Sequence, residues 1–471
     1  MSFRKILLSA LLMILSVGLY AQFTVDGEFR TRSGINHGYK VPVKSETDAV
    51  LSFDQRSRLI LGYSKGILAT KFTLQDARIW GADDLFNKTG IEGNSSSFGV
   101  HEAWAQIETG KYSDIRIGRQ EWNYDDMRIL SWRNWWTSAL SYDGLLFKHH
   151  NTKTGWSIDA GLSYNNYGSR SGNVDNSMWN ESLLKTMNFF NAKKKFNEKL
   201  SVSIMLTYSG KQDMAEDELA GTGTHGININ YNRSKTGTDG LFAQASAYYQ
   251  HGKDLSFGSD GERKSISAHL LTAELGLRTL EKKLEISAGM EMISGRDYSN
   301  TEEKYNNTRH SFDLFYSGRF PYYGGHINYF LVQDSYKIGT KGGGYFDPFF
   351  KVKYKASKKD IIDFAVFNPI LTTKVAAHTG FDPISKKPVT ELDGGNPVYW
   401  KGGLGTHIDL DYTRKISKEI TLKTGVSYAM VSDIKNQMVY GYKSGEQLND
   451  LGQNYFVYTM LIVKPNFFSS K

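Results

Sequence analysis

Trp156-Ser157-Ile158-Asp159-Ala160-Gly161-Leu162-Ser163-Tyr164 alternates without a break. Trp156, Ile158, Ala160, Leu162 and Tyr164 point one way; Ser157, Asp159, Gly161 and Ser163 point the other. A period of two is the mark of a strand with one apolar and one polar face. A run of this length exceeds a typical globular strand and crosses a bilayer when tilted. The pattern recurs to the end of the chain. Leu200, Val202, Ile204, Leu206 and Tyr208 form one apolar face, and Leu284, Ile286, Ala288, Met290 and Met292 another. Trp400, Leu404, Ile408, Leu410 and Tyr412 are followed by Ile420, Leu422, Val426, Tyr428 and Met430.

Working outward, strand candidates fall near 23–32, 52–63, 66–76, 98–109, 113–121, 142–149, 155–165, 186–196, 199–209 and 223–233. The second half adds 240–250, 266–277, 284–294, 309–319, 324–332, 345–356, 360–367, 400–413, 419–430 and 453–463. Short links such as Ser64–Lys65, Asn197–Glu198 and Ser357–Lys359 take turns with long ones at 33–51, 77–97, 122–141, 166–185, 210–222, 295–308, 368–399 and 431–452. An outer-membrane barrel sorts its loops in this way, with short periplasmic turns and long extracellular loops; a soluble sandwich has no reason to. The sequence therefore predicts an all-β fold, a transmembrane antiparallel β-barrel of about twenty strands by segment count. An even count puts both termini on the periplasmic side. Trp80, Trp104, Trp122, Trp156, Tyr208, Tyr249, Tyr316, Trp400 and Tyr412 lie near strand ends, as interfacial girdles require.

Composition agrees. Arg4 and Lys5 precede the apolar run Ile6–Tyr20, and Ala21 offers a small residue for cleavage, so residues 1–21 read as a secretory signal peptide. The rest, 22–471, reads as a single barrel domain of the cell outer membrane. The mean hydropathy of −0.44, with no long apolar run after residue 21, leaves no room for membrane helices. An exported chain without cysteine lacks disulfide staples, and a closed barrel needs none. The eight prolines are assigned to loops, turns or strand ends. Removing Arg4 and Lys5 lowers the net charge from +8 to +6, which allows an anionic partner. No basic stretch sits on a nucleic-acid-binding module, so the partners implied are outer-membrane lipid and a polar solute.

No enzyme motif is present, nor any metal-ligand or cofactor signature. His37 and His149–His150 read as solvated or lumen-facing. Asp83–Asp84 and Asp125–Asp126 read as solvated loop acids or a loose calcium contact. The N-terminal third is different. Arg30 and Arg32 share the polar face of the first strand, and Arg56 and Arg58 that of the second. Arg78, Arg116, Arg119, Arg128 and Arg133 follow, the last two in the tryptophan-rich segment Trp122–Trp136, the candidate for a loop folded into the barrel. A lipid-facing arginine costs about 2–4 kcal/mol at mid-bilayer, so arginines on long strands are expected to point inward. Guanidinium suits carboxylate recognition. Mutual pairing with Asp26, Glu28, Asp54, Asp76, Glu102 or Glu121 is the competing use, with Asp76 and Glu102 the structural acid partners. Lys351, Lys353 and Lys355 add inward cations elsewhere in the ring.

Ile115-Arg116-Ile117-Gly118-Arg119-Gln120-Glu121, Asn123-Tyr124-Asp125-Asp126, Arg128-Ile129-Leu130, Trp135 and Tyr142-Asp143-Gly144 resemble the signature of the alginate-export family of outer-membrane barrels. Gln55-Arg56-Ser57-Arg58-Leu59, Gln75-Asp76-Ala77-Arg78-Ile79-Trp80-Gly81 and His101-Glu102-Ala103 add to it, over about residues 23–150. The resemblance implies a monomeric barrel of eighteen strands whose arginine-rich constriction conducts a polyuronate, with Arg56, Arg58, Arg78, Arg119 and Arg128 in the pore wall. An exporter of anionic polysaccharide would also have periplasmic export partners. The alternative within the same class is a general or substrate-specific porin for other small polar solutes. A barrel enzyme would need a nucleophile or acid pair beside a histidine at the rim. An adhesin would use the long loops as binding tips.

Overall fold

The computed structural model describes residues 22–38, 42–81, 98–165, 169–170, 173–174, 184–213, 218–233, 237–257, 260–314, 318, 342–381, 388–441 and 450–470. Its wall begins with β1 (Gln22–His37), β2 (Val50–Lys65), β3 (Leu68–Ile79), β4 (Gly99–Gly110), β5 (Ser113–Gln120) and β6 (Tyr142–Asn151). It continues through β7 (Trp156–Tyr164), β8 (Thr186–Lys195), β9 (Leu200–Asp213), β10 (Glu218–Tyr231), β11 (Gly240–Phe257) and β12 (Arg263–Thr279). It ends with β13 (Leu284–Ile293), β14 (Tyr345–Lys355), β15 (Asp360–Phe367), β16 (Gly405–Lys415), β17 (Ile420–Val431) and β18 (Asn454–Val463). Each strand is antiparallel to the next, and β1 pairs with both β2 and β18, so eighteen strands close into a barrel. A last short strand, Asn466–Ser469, follows Pro465 and pairs with Thr24–Asp26 along the seam.

The count of twenty is corrected to eighteen. The described residues of segment 309–319 form no wall strand: among them only Arg309, with Thr308 before it, pairs, in parallel with Ser265–Ile266 near the start of β12. The alternation of Phe312 and Leu314 there reports burial inside the barrel. Segment 324–332 lies outside the described residues, and β13 pairs directly with β14. Of the long link expected at 210–222, residues 210–213 and 218–222 are strand instead, because β9 and β10 stay paired up to Asp213↔Glu218. Its glycines read as loop but sit in the ladder. The strand expected from 400 starts at Gly405; Trp400 and Leu404 are buried in the preceding loop. Pro348 lies within β14, opposite Met290, not in a loop or at a strand end.

Alternation sorts the wall. Phe29, Leu59, Phe72, Ile117, Phe147, Leu162, Phe190, Ile204 and Ile227 are exposed on the outer face, an apolar band far too extensive for a water-soluble surface. Among the described residues no helix is long and apolar enough to cross a membrane. Glu28, Arg30, Arg56, Gln75, Asn191, Ser246 and Thr272 face inward and are buried. Two apolar clusters lie within the barrel. One joins Trp122, Leu130 and Tyr142 to Phe189, Met205, Tyr248 and Leu270 of the wall. The other packs Leu371, Val375, Trp400 and Leu404 against Phe456 and Tyr458 of β18, together with Met438 of the helix α1 (Asp433–Tyr440). Trp80, Trp156, Tyr208 and Tyr249 are outer-face aromatics as a girdle requires, but Trp122 and Trp400 are buried inside; Tyr316 lies outside the described residues.

Candidate functional site

The chain leaves the wall after Gln120, the last residue of β5; two residues earlier in that strand, Gly118 has a φ of +121°, which favours glycine. A Cβ there would stand 2.2 Å from the Ala103 carbonyl oxygen. Residues 121–141 then run across the lumen and return at Tyr142. The expectation of an inward-folded loop places it where the structure does.

The basic wall of β1 and β2 grips this segment by its backbone. Arg30 donates to the carbonyls of Asn134 and Trp136 at 2.5 and 3.0 Å. Arg32 donates to the Trp135 carbonyl at 3.1 Å, lies over its indole, and is held by Asp54 at 2.8 Å. Arg56 pairs with Glu28 and donates to Asn134 Oδ1 at 2.7 Å. Thr137 donates to Asp54, and Gln75 of β3 donates to the Ser138 carbonyl, both within 2.8 Å. Nearly opposite on the ring, Arg128 bridges Asp126 at 2.7 Å and Glu291 of β13 at 2.8 Å, and donates to Thr272 of β12. Asp126 accepts from Ser246 and Gln244 of β11. Asp125 accepts from Ser203 of β9 and Asn191 of β8, and burial lifts its carboxyl above the ordinary aspartate range. These two acids are not solvated loop charges; Asp83–Asp84 lies outside the described residues.

The expected pore residues therefore divide. Arg30, Arg32 and Arg56 point inward and are engaged with the segment. Arg58 also points inward, bonded to Gln75 at 2.8 Å and near Glu121 at 3.7 Å. Arg128 belongs to the segment itself. Arg78 and Arg119 do not face the lumen. Arg78 shares the outer face with Phe72 and Leu74 and pairs with Asp76 at 2.8 Å. Arg119 shares the outer face with Ile115 and Ile117 and pairs with Asp143 at 2.7 Å. Both lie near the long-loop ends of their strands, where the cost of a lipid-facing arginine falls to about 0–1 kcal/mol. Glu102 is inward and pairs with Lys71; Asp76 serves Arg78 outside. His37 contacts the carbonyls of Gln453 and Thr47, while His150 pairs with Asp159 at 2.7 Å.

Beside the segment remains a cavity of about 600 Å³. Lys351 and Lys353 line it from β14, with Lys353 on Asp363 at 3.0 Å and Lys351 over the Phe349 ring at 4.0 Å. Residues outside the sequence expectations complete the lining: Arg233 paired with Glu274, Lys423, Lys464, Glu285, Asp409, Asp411 and Trp132. The inward alternation of β12, β13, β16 and β17 was the signal available for Glu274, Glu285, Asp409, Asp411 and Lys423.

No protein-family model and no curated protein matches the chain. Solved structures do. Acinetobacter baumannii OccAB4 aligns with a TM-score of 0.56 at 10% identity, over 96% of this chain and 99% of that one. Pseudomonas aeruginosa OccK8 (OprE) gives 0.54 at 10%, over 95% and 98%. The outer membrane protein opdK of Pseudomonas aeruginosa gives 0.52 at 10%, over 95% and 99%. The chain thus has the fold of the eighteen-stranded outer-membrane barrels. These neighbours are Occ/OprD porins and not alginate-export proteins, so the resemblance to the alginate-export family does not hold. Its motifs report a basic inner wall holding an inner loop, which says nothing of the cargo.

Proposed function

We propose that the chain is an outer-membrane channel for small polar solutes with a weak preference for anions. One observation carries this reading: segment 121–141 is pinned to opposite walls, and the cavity left beside it has the volume of a small-molecule site. Cations outnumber acids modestly around that cavity. Arg30, Arg56, Arg133, Arg233, Lys351, Lys353, Lys423 and Lys464 stand against Glu28, Glu274, Glu285, Asp363, Asp409 and Asp411. Several are mutually paired, so the net field is mild and binding stays weak enough for release. In this reading residues 1–21 are a signal peptide removed on export, and the barrel works as a monomer with its short turns in the periplasm.

Planar-bilayer recordings in a salt gradient, with liposome swelling in neutral sugars, test it. Weak anion selectivity and monosaccharide permeation are expected. Strong cation selectivity, or a barrel closed to monosaccharides, would overturn the proposal. The amino-terminal sequence of protein from the outer-membrane fraction should begin at Gln22.

A further inference from the structure

The outer face of the barrel carries a histidine pair that conduction does not use. His225 on β10 stands opposite Tyr249 of β11, and Gly223 stands opposite His251. The two histidines are therefore diagonal neighbours on one face. Their Nε2 atoms are 3.2 Å apart, with the rings at 70° to each other. Both residues are exposed.

We propose that His225 and His251 form a site for a borderline divalent transition-metal ion of the zinc, nickel or copper kind. Two imidazole nitrogens bound tetrahedrally to one ion, each about 2.0–2.1 Å away, stand about 3.3–3.4 Å apart. The pair is near that spacing already. Imidazole is a preferred ligand for these metals, and the open side of the pair leaves room for water to complete the coordination.

The backbone is shaped for this contact. A Cβ on Gly223 would lie 2.5 Å from His251 Nε2, so only glycine lets the ring lie flat on β10 and reach His225. Gly221 does the same for Tyr208, where a Cβ would lie 2.1 Å from the phenol oxygen. The run Gly221-Thr222-Gly223-Thr224-His225 is thus a floor for rings. Along β10 the row lies above Ile227, toward the long-loop rim, and His269 of β12 stands opposite Tyr249 in the same row. Among the described residues no group of three histidine or acidic side chains converges on a metal position, so the site has two protein ligands and micromolar rather than nanomolar affinity. The competing use of the contact is a plain imidazole–imidazole hydrogen bond.

Calorimetric titration of the full-length folded barrel in detergent, without a polyhistidine tag, with zinc chloride and nickel chloride decides between them. Expected is one saturable equivalent, weakened by about tenfold or more in His251→Gln and in His225→Gln. Gly223→Ala should weaken it as well, by displacing the His251 ring. His269→Gln, outside the pair, should bind as the parent does. Heat-modifiable gel mobility verifies that each variant is folded. No saturable binding up to millimolar metal, or equal binding in the His225→Gln/His251→Gln double variant, would overturn the proposal.

Discussion

Arg56→Ala removes one of the buried side chains that tie the inner segment to the wall. The Arg56 side chain is 1% exposed and serves Glu28, Asn134 Oδ1 and the carbonyls of Trp136 and Thr137. Without it the Glu28 carboxylate, 6% exposed, keeps its ion pair with the partly solvated Lys464 at 3.3 Å and the nearby charge of Arg58. Removing one partner of a buried pair costs about 3–5 kcal/mol. The ladder between β1 and β2 runs unbroken from Gln22↔Ser64 to Asn36↔Val50 and is untouched, so the cost falls on docking of the segment. Each 1.4 kcal/mol is about tenfold in population, so the undocked state rises by at least about a hundredfold. Arg30 and Arg32 still hold the carbonyls of Asn134, Trp135 and Trp136, so the segment loosens without leaving the lumen. Single-channel recordings should show larger and noisier conductance in Arg56→Ala, and larger still in Arg30→Ala/Arg56→Ala, with parental heat-modifiable mobility. A folded Arg56→Ala barrel with unchanged conductance and noise would refute the tethering argument.

Arg119→Ala should leave conductance and ion selectivity as they are and shift unfolding by no more than about 1 kcal/mol, because its pair with Asp143 is solvent-exposed on the outer face. A selectivity change would return Arg119 to the pore wall. Arg128→Ala leaves Asp126 and Glu291 buried side by side without their shared cation, and should cost about 3–5 kcal/mol, read as a lower denaturant midpoint. Lys351→Glu/Lys353→Glu reverses two cavity charges and should move the reversal potential toward cations; an unmoved potential would take β14 out of the conduction path.

The two misplaced arginines show what alternation could and could not say. Read strictly, Leu74, Asp76 and Arg78 share a face, and so do Ile115, Ile117 and Arg119. The pattern itself places both arginines outside. The cost of arginine in lipid argued the other way, but that cost vanishes near the headgroups, and height in the membrane is not written in a local period. Segment 309–319 misled for a related reason: Phe312 and Leu314 alternate because an inner cluster buries them, and period two cannot tell a wall from a plug.

By itself the sequence determined most of the wall strands, that they belong to an antiparallel membrane wall, and that Arg30, Arg32, Arg56, Arg58, Lys351 and Lys353 point inward. These follow from side-chain periodicity and link length, which are local. Ring closure and the crossing segment decided the rest. Arg30 meets Asn134, and Arg128 meets Glu291 across 163 positions of chain, only because the barrel brings opposite walls to one loop. Whether an inward arginine grips backbone or meets solute depends on those long-range contacts, and no local period encodes them.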